Sequence, residues 1–255
     1  MSFTIITTVL NNEKFMLNCL QSVQKQNINK KKIEHLVIDG GSSDETLNIV
    51  RTFKKKHKYV KLFLKKKSSI YGGINYGIKN SKNKYIGLLH SDDYFFNNNV
   101  LNIIEKNFRN RNNVKAIYSN VKFVSRSNKN KVIRYFKSRN LKKSDYLKCD
   151  HPPHTSLFLE KSIFKQYGYY NEKFKIASDF EFMLRIFAIN QTKSVYLDKT
   201  LVVMRSGGTS TKSLKNIILS NYEVLKSFKE NNLKINLIYI IIKIFKKILQ
   251  IRFFN

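Results

Sequence analysis

The stretch Tyr85–Leu89, followed at once by His90-Ser91-Asp92-Asp93, constrains the fold of this chain more than any other. Its apolar part has no polar alternation, which is typical of a strand covered on both faces inside a mainly parallel sheet. Ligands of open α/β sheets bind beyond the carboxyl ends of the strands, and carboxylates there suit a hard divalent cation such as Mg²⁺ or Mn²⁺. Alternatively, the polar residues from Ser91 to Asp93 cap a following helix, because Ser and Asp are favoured at that position.

Strand and helix patterns alternate along the first hundred residues. Strands are predicted at 3–9, 33–39 and 59–64, and helical patterns follow the first two and recur at 70–78. This alternation predicts an α/β domain. Beyond Asp93 the alternation lapses, and the pattern predicts a helix at 100–108, strands at 114–118, 121–124, 132–136 and 155–159, and edge strands at 195–197 and 201–204.

Length and cysteine content set limits on the domain organisation and on the compartment. A chain of 255 residues with two prolines favours one domain with a short appendage over two equal domains. Cys19 and Cys149 offer no disulfide framework and no metal-binding spacing. The residues from Met1 to Leu10 lack a basic leader, so we expect a cytoplasmic protein.

The formal charge of +31, from 48 basic and 17 acidic residues, would attract nucleic acid, anionic lipid or phosphorylated substrates. Much of this charge lies in scattered lysine runs that are more typical of solvated faces than of binding sites. The sequence contains no helix-turn-helix, zinc-finger or aromatic-basic sheet signature. We therefore expect no nucleic-acid partner.

Several polar segments outside the central strand are candidate site elements. Asp39 ends a predicted strand, where its carboxylate suits a base or sugar edge, and Gly40 after it permits close backbone approach; both residues are also ordinary turn formers. The loop at 205–210 is rich in donors that suit phosphate.

Two further segments carry histidines or acids. His151-Pro152-Pro153-His154 contains a fixed turn, and we favour a structural role for His151. The segment at 176–185 predicts a helix with an acidic first turn. The alternative for these acids is helix capping by Ser178 or Asp179, with Glu181 as the capping-box partner.

The segment from Asn232 onward predicts an interfacial amphipathic helix. Its charges recur too often for a membrane span. Isoleucine, leucine and phenylalanine cover most of the surface, and the alternative is a helix packed on the domain or on a second subunit. At about 100° per residue, one polar stripe comprises Asn232, Asn236, Tyr239, Lys243, Lys246, Lys247 and Gln250.

Three elements in order resemble family 2 of the inverting glycosyltransferases with the GT-A fold, of the bacterial surface-polysaccharide and lipopolysaccharide type. They are the segments at 37–44, 89–93 and 178–181, and the likeness extends over about residues 3 to 210. Supporting matches are Asn75-x-Gly77-Ile78, the strand at 154–158, the segment at 167–172 and Gly207-Gly208.

The resemblance implies a nucleotide-diphospho-sugar donor, with UDP as the expected nucleotide, and a divalent cation, Mn²⁺ or Mg²⁺, that bridges Asp92 and the diphosphate, with Asp93 as a second metal candidate. It implies that Asp179 is the general base, and that His154 and Glu181 lie on the acceptor side. The implied donor-binding residues are Thr8, Asn11, Asp39, Gly40, Asn75, Ser91, Asp92 and Arg205.

The chain departs from the family pattern at two places. His90 stands where the metal motif often begins with an acid or an amide, and Gly73 stands where relatives commonly carry an acid. Lys67-Ser68-Ser69 also replaces a usual Asp-Lys-Gly. Residues 67–69 and Gly73 belong to one loop region, which in the family usually helps to shape the donor site. Its divergence therefore bears on the identity of the sugar.

These observations predict an α/β, GT-A domain at 1–212 with a mixed, mainly parallel sheet, and a helical, membrane-associating segment at 213–255. The expected activity is inverting transfer of a hexosyl or N-acetylhexosaminyl group to a glycan, lipid-linked acceptor in surface polysaccharide synthesis. The expected location is the cytoplasmic face of the plasma membrane, on anionic lipid. The alternatives are a basic nucleic-acid-binding α/β protein and an inactive sugar-nucleotide-binding scaffold.

Overall fold

The computed structural model describes residues 1–208 and 213–252. A sheet runs through its centre and helices lie on both faces. The strands are β1 (Phe3–Val9), β2 (Ile33–Asp39), β3 (Val60–Leu64), β4 (Tyr85–Leu88), β5 (Tyr94–Phe95), β6 (Ala116–Val124), β7 (Val132–Phe136), β8 (Phe158–Glu160) and β9 (Ser194–Arg205). The helices are α1 (Glu13–Gln24), α2 (Thr46–Lys56), α3 (Ile70–Asn80), α4 (Val100–Arg109), α5 (Lys143–Leu147), α6 (Ser162–Tyr167), α7 (Ser178–Met183), α8 (Leu214–Glu230) and α9 (Ile238–Arg252).

The strand order is β3-β2-β1-β4-β8-β6-β9-β5, with β7 paired to β6. Strands β3, β2, β1 and β4 are parallel to one another, which their helical crossovers require. Strand β8 is antiparallel to both β4 and β6, whereas β6 and β9 run parallel. The sheet is therefore mixed but mainly parallel, as the sequence pattern predicts.

Strand β4 has the position that its composition predicts. All four of its residues are buried, and it lies between β1 and β8. Its two faces meet two apolar clusters, one containing Ile86 and Leu88 and the other Tyr85. No capped helix follows directly, because the short strand β5 lies between Asp93 and α4. The structure thus contradicts the alternative in which Ser91 to Asp93 cap the next helix.

Two pairs of predicted strands are each a single strand. The predicted strands at 114–118 and 121–124 fall in β6 from residue 116 onward, and those at 195–197 and 201–204 are parts of β9. The polar residues between them stay in the sheet because they find partners: Asn120 Nδ2 donates to Asp198 Oδ1 at 2.9 Å, and Ser119 N donates to Ser156 Oγ at 3.2 Å. Strand β9 is not an edge strand, since β5 pairs with it on its outer side.

The segment predicted as a strand at 155–159 divides into two elements. A 3-10 turn covers His154–Ser156, and only Phe158–Glu160 joins the sheet as β8. The paired prolines just before this turn fix the backbone as it enters. His154 is therefore held on the turn that precedes β8.

Helix α7 lacks the side-chain cap that its sequence suggests. Its N-cap is Ala177, without a capping side chain, and the buried Ser178 hydroxyl has no hydrogen-bond partner. Beyond Met183 the chain continues as a π-helix over Leu184–Ile189. Neither Ser178 nor Asp179 is the N-cap, so the capping alternative is wrong. Of the N–H groups in the first turn, Asp179 Oδ1 accepts only from Phe180 N, and a group from another element satisfies the N–H groups at Ala177 and just before it.

That group is Glu223 of α8. Its Oε1 accepts a hydrogen bond from Lys175 N at 2.7 Å, and its Oε2 accepts from Ile176 N and Ala177 N at 2.8 Å each. Three backbone donors satisfy a buried carboxylate that would otherwise be costly to bury. Helix α8 is thus bonded to the loop that leads into α7.

The C-terminal helices pack on the domain, and α9 turns its polar side inward. In α8, Val224 and Phe228 are buried in the main core. In α9, Tyr239 is partly buried against the same core, and Lys243 Nζ lies 6.0 Å from the centre of the Phe180 ring. Ile240 also packs against this core, but most of the other described apolar residues at 237–245 are exposed, namely Leu237 just before the helix and Ile238, Ile241, Ile242, Ile244 and Phe245 within it.

Of the predicted polar stripe, Asn232 and Asn236 are exposed but precede α9, which begins at Ile238. Tyr239 and Lys243, which lie in α9, are partly buried and do not form its solvent face. The side chains of Lys246, Lys247 and Gln250 lie outside the described residues. Among the residues that the structure describes, none of the helices is sufficiently long and apolar to cross a membrane.

Candidate functional site

The candidate site lies where three parallel strands end. Strands β2, β1 and β4 are neighbours, with Val9 paired to Asp39 and Ile6 paired to Leu88. The loops that follow them meet, because Asn12 Nδ2 donates to Ser91 Oγ at 2.7 Å. The structure thus brings together the sequence-predicted residues of these loops, at the edge where α/β sheets bind ligands.

Asp39 has the geometry of a turn residue. Its Oδ1 accepts hydrogen bonds from Gly41 N and Ser42 N at 2.8 Å each, and its Oδ2 accepts from Ser42 Oγ at 2.7 Å. Asn11 holds the same turn from β1, since its Oδ1 accepts from Ser43 N at 2.8 Å. A carboxylate has about four acceptor sites, so Asp39 retains acceptor capacity beyond the turn.

A cleft of about 470 Å³ opens beside this turn. Its volume falls within the usual range for small-molecule sites, roughly 300–1,000 Å³. Asp39 and Gly40 line it together with three basic side chains, Arg51, Lys66 and Lys67. The basic residues escape sequence reasoning because Arg51 lies within a helix pattern and the lysines resemble other lysine runs.

Thr8 is half-buried at the end of β1 and faces α3. A Cβ atom on Gly73 would lie 2.9 Å from Thr8 Cγ2, too close for an undisturbed side chain. The glycine that departs from the family pattern is therefore required by the packing of α3 on β1. Any acid at this position would displace the threonine or the helix.

The two aspartates after β4 have different environments. The Asp92 carboxylate is partly exposed and lies 2.7 Å from Arg126 Nη1. Asp93 is buried, its Oδ1 accepts from Arg205 N at 3.2 Å, and its Oδ2 has no partner. Burial and then the charge of Asp92 hold the pKa of Asp93 well above its usual value. Only Asp92 is oriented towards the open side of the site.

Arg205 fixes the turn that carries these aspartates. Its Nη1 donates to the carbonyl oxygen of Asp92, and its Nη2 donates to Asn18 Oδ1 at 3.1 Å. The buried guanidinium also stacks 4.3 Å from the centre of the Phe15 ring. Arg205 is thus committed to protein contacts, and Gly207 lies in the loop beyond it, whereas Thr209 and Ser210 lie outside the described residues.

A chain of three polar side chains joins the β4 turn to Asp179. His90 Nε2 lies 2.7 Å from His154 Nε2, and His154 Nδ1 lies 3.0 Å from Asp179 Oδ2. The other carboxylate oxygen, Oδ1, accepts from Phe180 N at 2.9 Å. His90 and Asp92 lie in the same turn. The hydrogen-bonded side chains of His90, His154 and Asp179 therefore connect the predicted base, Asp179, to the turn of the predicted metal ligand, Asp92.

The surroundings of Asp179 and His90 shift the pKa values of these two side chains. Burial raises the pKa of Asp179, but the hydrogen bond and charge of His154, with the charge of His151, more than offset it and hold the pKa well below its usual value. Burial and then His154 lower the pKa of His90 to about 4. At neutral pH Asp179 is therefore a carboxylate and His90 is neutral.

Asn75 and Glu181 have structural partners instead of a place in the cleft. Asn75 is buried, donates to Tyr170 O at 2.8 Å and to Glu172 Oε1 at 2.9 Å, and accepts from Tyr170 N at 3.0 Å. Glu181 is buried and pairs with Arg185, with Nη2 at 2.9 Å from Oε2. We therefore do not include either residue in the proposed site.

Two residues that sequence reasoning misses contribute to the site. Arg126 pairs with Asp92 although it lies 34 positions away in a polar hairpin, and Glu223 anchors the chain before Asp179 from 46 positions away. The only sequence signal for Glu223 is an acid on the inner face of a helix pattern. Arg126 offers none, since it is one basic residue among 48.

Known proteins similar to this chain include two sequence relatives and one solved structure. An uncharacterized glycosyltransferase of Rickettsia bellii is 28% identical over 232 residues, which cover 86% of this chain and 32% of the relative. A poly(ribitol-phosphate) beta-glucosyltransferase of Bacillus spizizenii is 33% identical over 96 residues, 37% of this chain and 15% of that relative. The crystal structure of S. aureus TarS 1-349 in complex with UDP-GlcNAc has a TM-score of 0.68 at 20% identity, covering 88% of this chain and 67% of that one.

The fold and the strand-end site define a protein of the GT-A class. A sequence model of glycosyl transferase family 2 matches residues 4–168, more than half of the chain. The chain belongs to glycosyl transferase family 2. It spans about a third of the length of its Rickettsia bellii relative.

Proposed function

We propose that the chain catalyses inverting transfer of a sugar from a nucleotide-diphospho-sugar to a glycan acceptor. One observation carries this proposal: the His90–His154–Asp179 chain sets an ionised carboxylate beside the Asp92 turn, at the strand edge where the donor would bind. Donor activation and proton acceptance are separate tasks, and this edge offers a separate carboxylate for each.

The donor nucleotide would occupy the cleft beside Asp39. The carboxylate would accept a hydrogen bond from the base, and Gly40 would permit close approach of its ring. Thr8, Asn11 and Ser91 would shape the wall between the cleft and the β4 turn. The TarS complex, whose ligand is UDP-GlcNAc, supports a uridine donor.

The residues fit a divalent cation that the diphosphate helps to hold. Within the described residues, no group of three or more His, Cys, Asp or Glu side chains could bind a metal ion by itself. Mg²⁺ commonly uses one or two carboxylates with substrate phosphates, not a cage made of protein alone. Asp92 would supply a ligand oxygen from the open side of the site, whereas the buried Asp93, whose raised pKa favours the protonated form, would lie behind it without coordinating the cation. The cation, Mn²⁺ or Mg²⁺, would neutralise charge on the leaving diphosphate.

Asp179 would be the general base. The acceptor hydroxyl oxygen attacks the anomeric carbon from the face opposite the diphosphate, and its proton passes to the Asp179 carboxylate. The bond from that carbon to the diphosphate oxygen breaks, and the diphosphate leaves with the electron pair. His154, on the acceptor side of the carboxylate, would orient it through the bond from Nδ1.

The acceptor would be a glycan of surface polysaccharide assembly, carried on a lipid at the inner face of the plasma membrane. The Bacillus spizizenii relative, named for a poly(ribitol-phosphate) acceptor, supports a cell-surface polymer. The solvent-facing apolar residues of α9 and the charge of +31 support attachment to an anionic bilayer, since both forces hold peripheral helices. We propose that the catalytic unit extends through α8, because Glu223 is bonded into it, and that α9 forms the membrane-associating part.

A melting screen tests this function against its alternatives. A transferase should be stabilised by a nucleoside diphosphate or its sugar conjugate only when Mn²⁺ is present, by about 2.7 kcal/mol at a hundredfold excess over Kd. A nucleic-acid-binding protein should instead show salt-sensitive retention on DNA or RNA without nucleotide stabilisation. Stabilisation without transfer to any lipid-linked glycan would indicate an inactive scaffold.

A further inference from the structure

Arg126 forms an ion pair with the carboxylate of the proposed metal ligand, Asp92. It lies two residues beyond the end of β6, in the hairpin that leads to β7, and its Nη1 is 2.7 Å from Asp92 Oδ2. An arginine at this distance neutralises the carboxylate on which the proposed divalent cation depends. The inference that follows rests on the proposed function of Asp92.

The guanidinium is held in place by packing as well as by charge. It lies 4.8 Å from the centre of the Phe15 ring, the same buried ring that stacks with Arg205. Arg205 in turn bonds the carbonyl oxygen of Asp92. The Phe15 ring therefore stacks with two arginines that both bind Asp92. Arg205 bonds its backbone carbonyl oxygen, and Arg126 pairs with its carboxylate.

The other side of Arg126 faces the loop after β9. A Cβ atom on Gly207 would lie 3.9 Å from Arg126 Cδ, so the Arg126 side chain lies against the backbone at Gly207. The Asp92 and Arg126 side chains are 22% and 42% exposed, which leaves the pair open to a ligand. A diphosphate bound at Asp92 through a cation would therefore be within reach of Arg126 after a side-chain rotation.

A guanidinium and a divalent cation compete for Asp92. Both are positive, so each one repels the other when it occupies the same carboxylate. Arginine also binds phosphate oxygens in a two-pronged geometry, which gives the displaced side chain an alternative partner.

We propose that Arg126 is a counter-cation that exchanges partners when the donor binds. Without donor it neutralises Asp92 and suppresses binding of a free cation. When donor and cation bind together, the cation takes the carboxylate and Arg126 bonds the diphosphate. Metal and nucleotide therefore bind cooperatively. The metal displaces Arg126 from Asp92 and frees it to bond the diphosphate, and the diphosphate draws Arg126 away from the carboxylate that the metal needs.

The test measures Mn²⁺ binding by electron paramagnetic resonance, where free Mn²⁺ gives the signal, without any nucleotide. Arg126→Gln should raise Mn²⁺ affinity about threefold or more, the worth of a partly exposed ion pair. With saturating Mn²⁺, the same variant should lose about tenfold or more in affinity for UDP, GDP, CDP or dTDP, whichever binds, as expected for one charged hydrogen bond. Arg126→Lys, which keeps the charge, should show smaller changes of the same sign in both affinities.

Lys131→Gln is the matched control. It removes one positive charge from the exposed part of the same hairpin without removing a partner of Asp92. This variant should match the unaltered protein in both titrations. If Lys131→Gln and Arg126→Gln change the Mn²⁺ and nucleotide affinities equally, the cause is the lost net charge and not the Arg126–Asp92 pair, and the proposal is overturned.

Failure of this inference is distinguishable from failure of the proposed function. If Asp92→Asn abolishes Mn²⁺ binding while Arg126→Gln leaves Mn²⁺ affinity unchanged or lower, Asp92 is a metal ligand and Arg126 does not compete for it. If Asp92→Asn and Arg126→Gln both leave Mn²⁺ binding unchanged, the metal assignment itself is wrong and the inference falls with it.

Discussion

His154 Nδ1 lies 3.0 Å from Asp179 Oδ2, and the opposite nitrogen of the same ring lies 2.7 Å from His90. The bond fixes the direction of the carboxylate, and the chain connects it to the turn that carries Asp92. The proposed base, Asp179, and the proposed metal ligand, Asp92, are far apart in the sequence and are thereby linked through hydrogen-bonded side chains. The arrangement makes the following substitutions informative.

Asp179→Asn should retain donor binding and lose about 10²–10⁴ in transfer rate, the usual worth of a positioned base. The amide has nearly the same shape but cannot accept the acceptor proton. Donor affinity, melting temperature and transfer rate of this one variant are the measurements. Asp198→Asn is the control, an acid-to-amide change at an exposed side chain that keeps an oxygen for Asn120 Nδ2. Near-normal transfer by Asp179→Asn would end the assignment.

His154→Gln should move the acid limb of the rate profile to higher pH. Burial raises the pKa of Asp179 and His154 lowers it, so removing His154 lets the pKa rise. The base acts only when ionised, and a higher pKa therefore reduces the active fraction at acidic pH. The measurement is kcat against pH, with His57→Gln as the control. A limb that stays in place would mean that Asp179 is not the titrating base.

Asp92→Asn should abolish the Mn²⁺-dependent stabilisation by nucleoside diphosphate while the fold stays intact. The amide forfeits the charge that a divalent cation requires. Melting curves with and without Mn²⁺ measure the loss, which at a hundredfold excess over Kd amounts to about 2.7 kcal/mol. Persistence of the stabilisation would remove Asp92 from the metal site.

Asp39→Asn should weaken nucleotide binding by about 1–3 kcal/mol, the cost of leaving a buried hydrogen bond unmade. Asparagine retains a side-chain oxygen for Gly41 N and Ser42 N, so the turn should persist. Isothermal titration with the bound nucleotide gives the affinity, and a melting curve checks the turn. Equal affinity would limit Asp39 to its structural role.

Replacing both Ile241 and Phe245 with Glu should release the protein from anionic vesicles without lowering its melting temperature. Their side chains are 49% and 62% exposed, so the substitutions should leave the core intact. Co-sedimentation with vesicles of phosphatidylserine and phosphatidylcholine measures the binding, which apolar burial and charge support together. Leu17→Glu on α1 is the control. Unchanged sedimentation would direct attention to a protein partner for this face.

The sequence by itself determined the local elements and the residues at their ends. The apolar run at β4, the motif at 37–44 and the acids at 92 and 93 predicted a parallel core with a ligand edge, because strand burial and turn chemistry are local properties. The same local reasoning predicted two short strands in place of β6 and two in place of β9, because polar residues interrupt both apolar runs. Those residues remain in strands because Asn120 and Ser119 find partners from other parts of the chain.

Only the tertiary structure decided which side chains are free to act. Arg205, Asn75 and Glu181 have the right residue types for a site, yet each is bonded to protein partners that no spacing in the sequence reveals. The same is true of the Arg126 pair with Asp92 and of the Glu223 bonds before Asp179. The physical reason is that hydrogen bonds and ion pairs depend on distances of about 3 Å, and only the folded chain brings residues so distant in sequence to that separation.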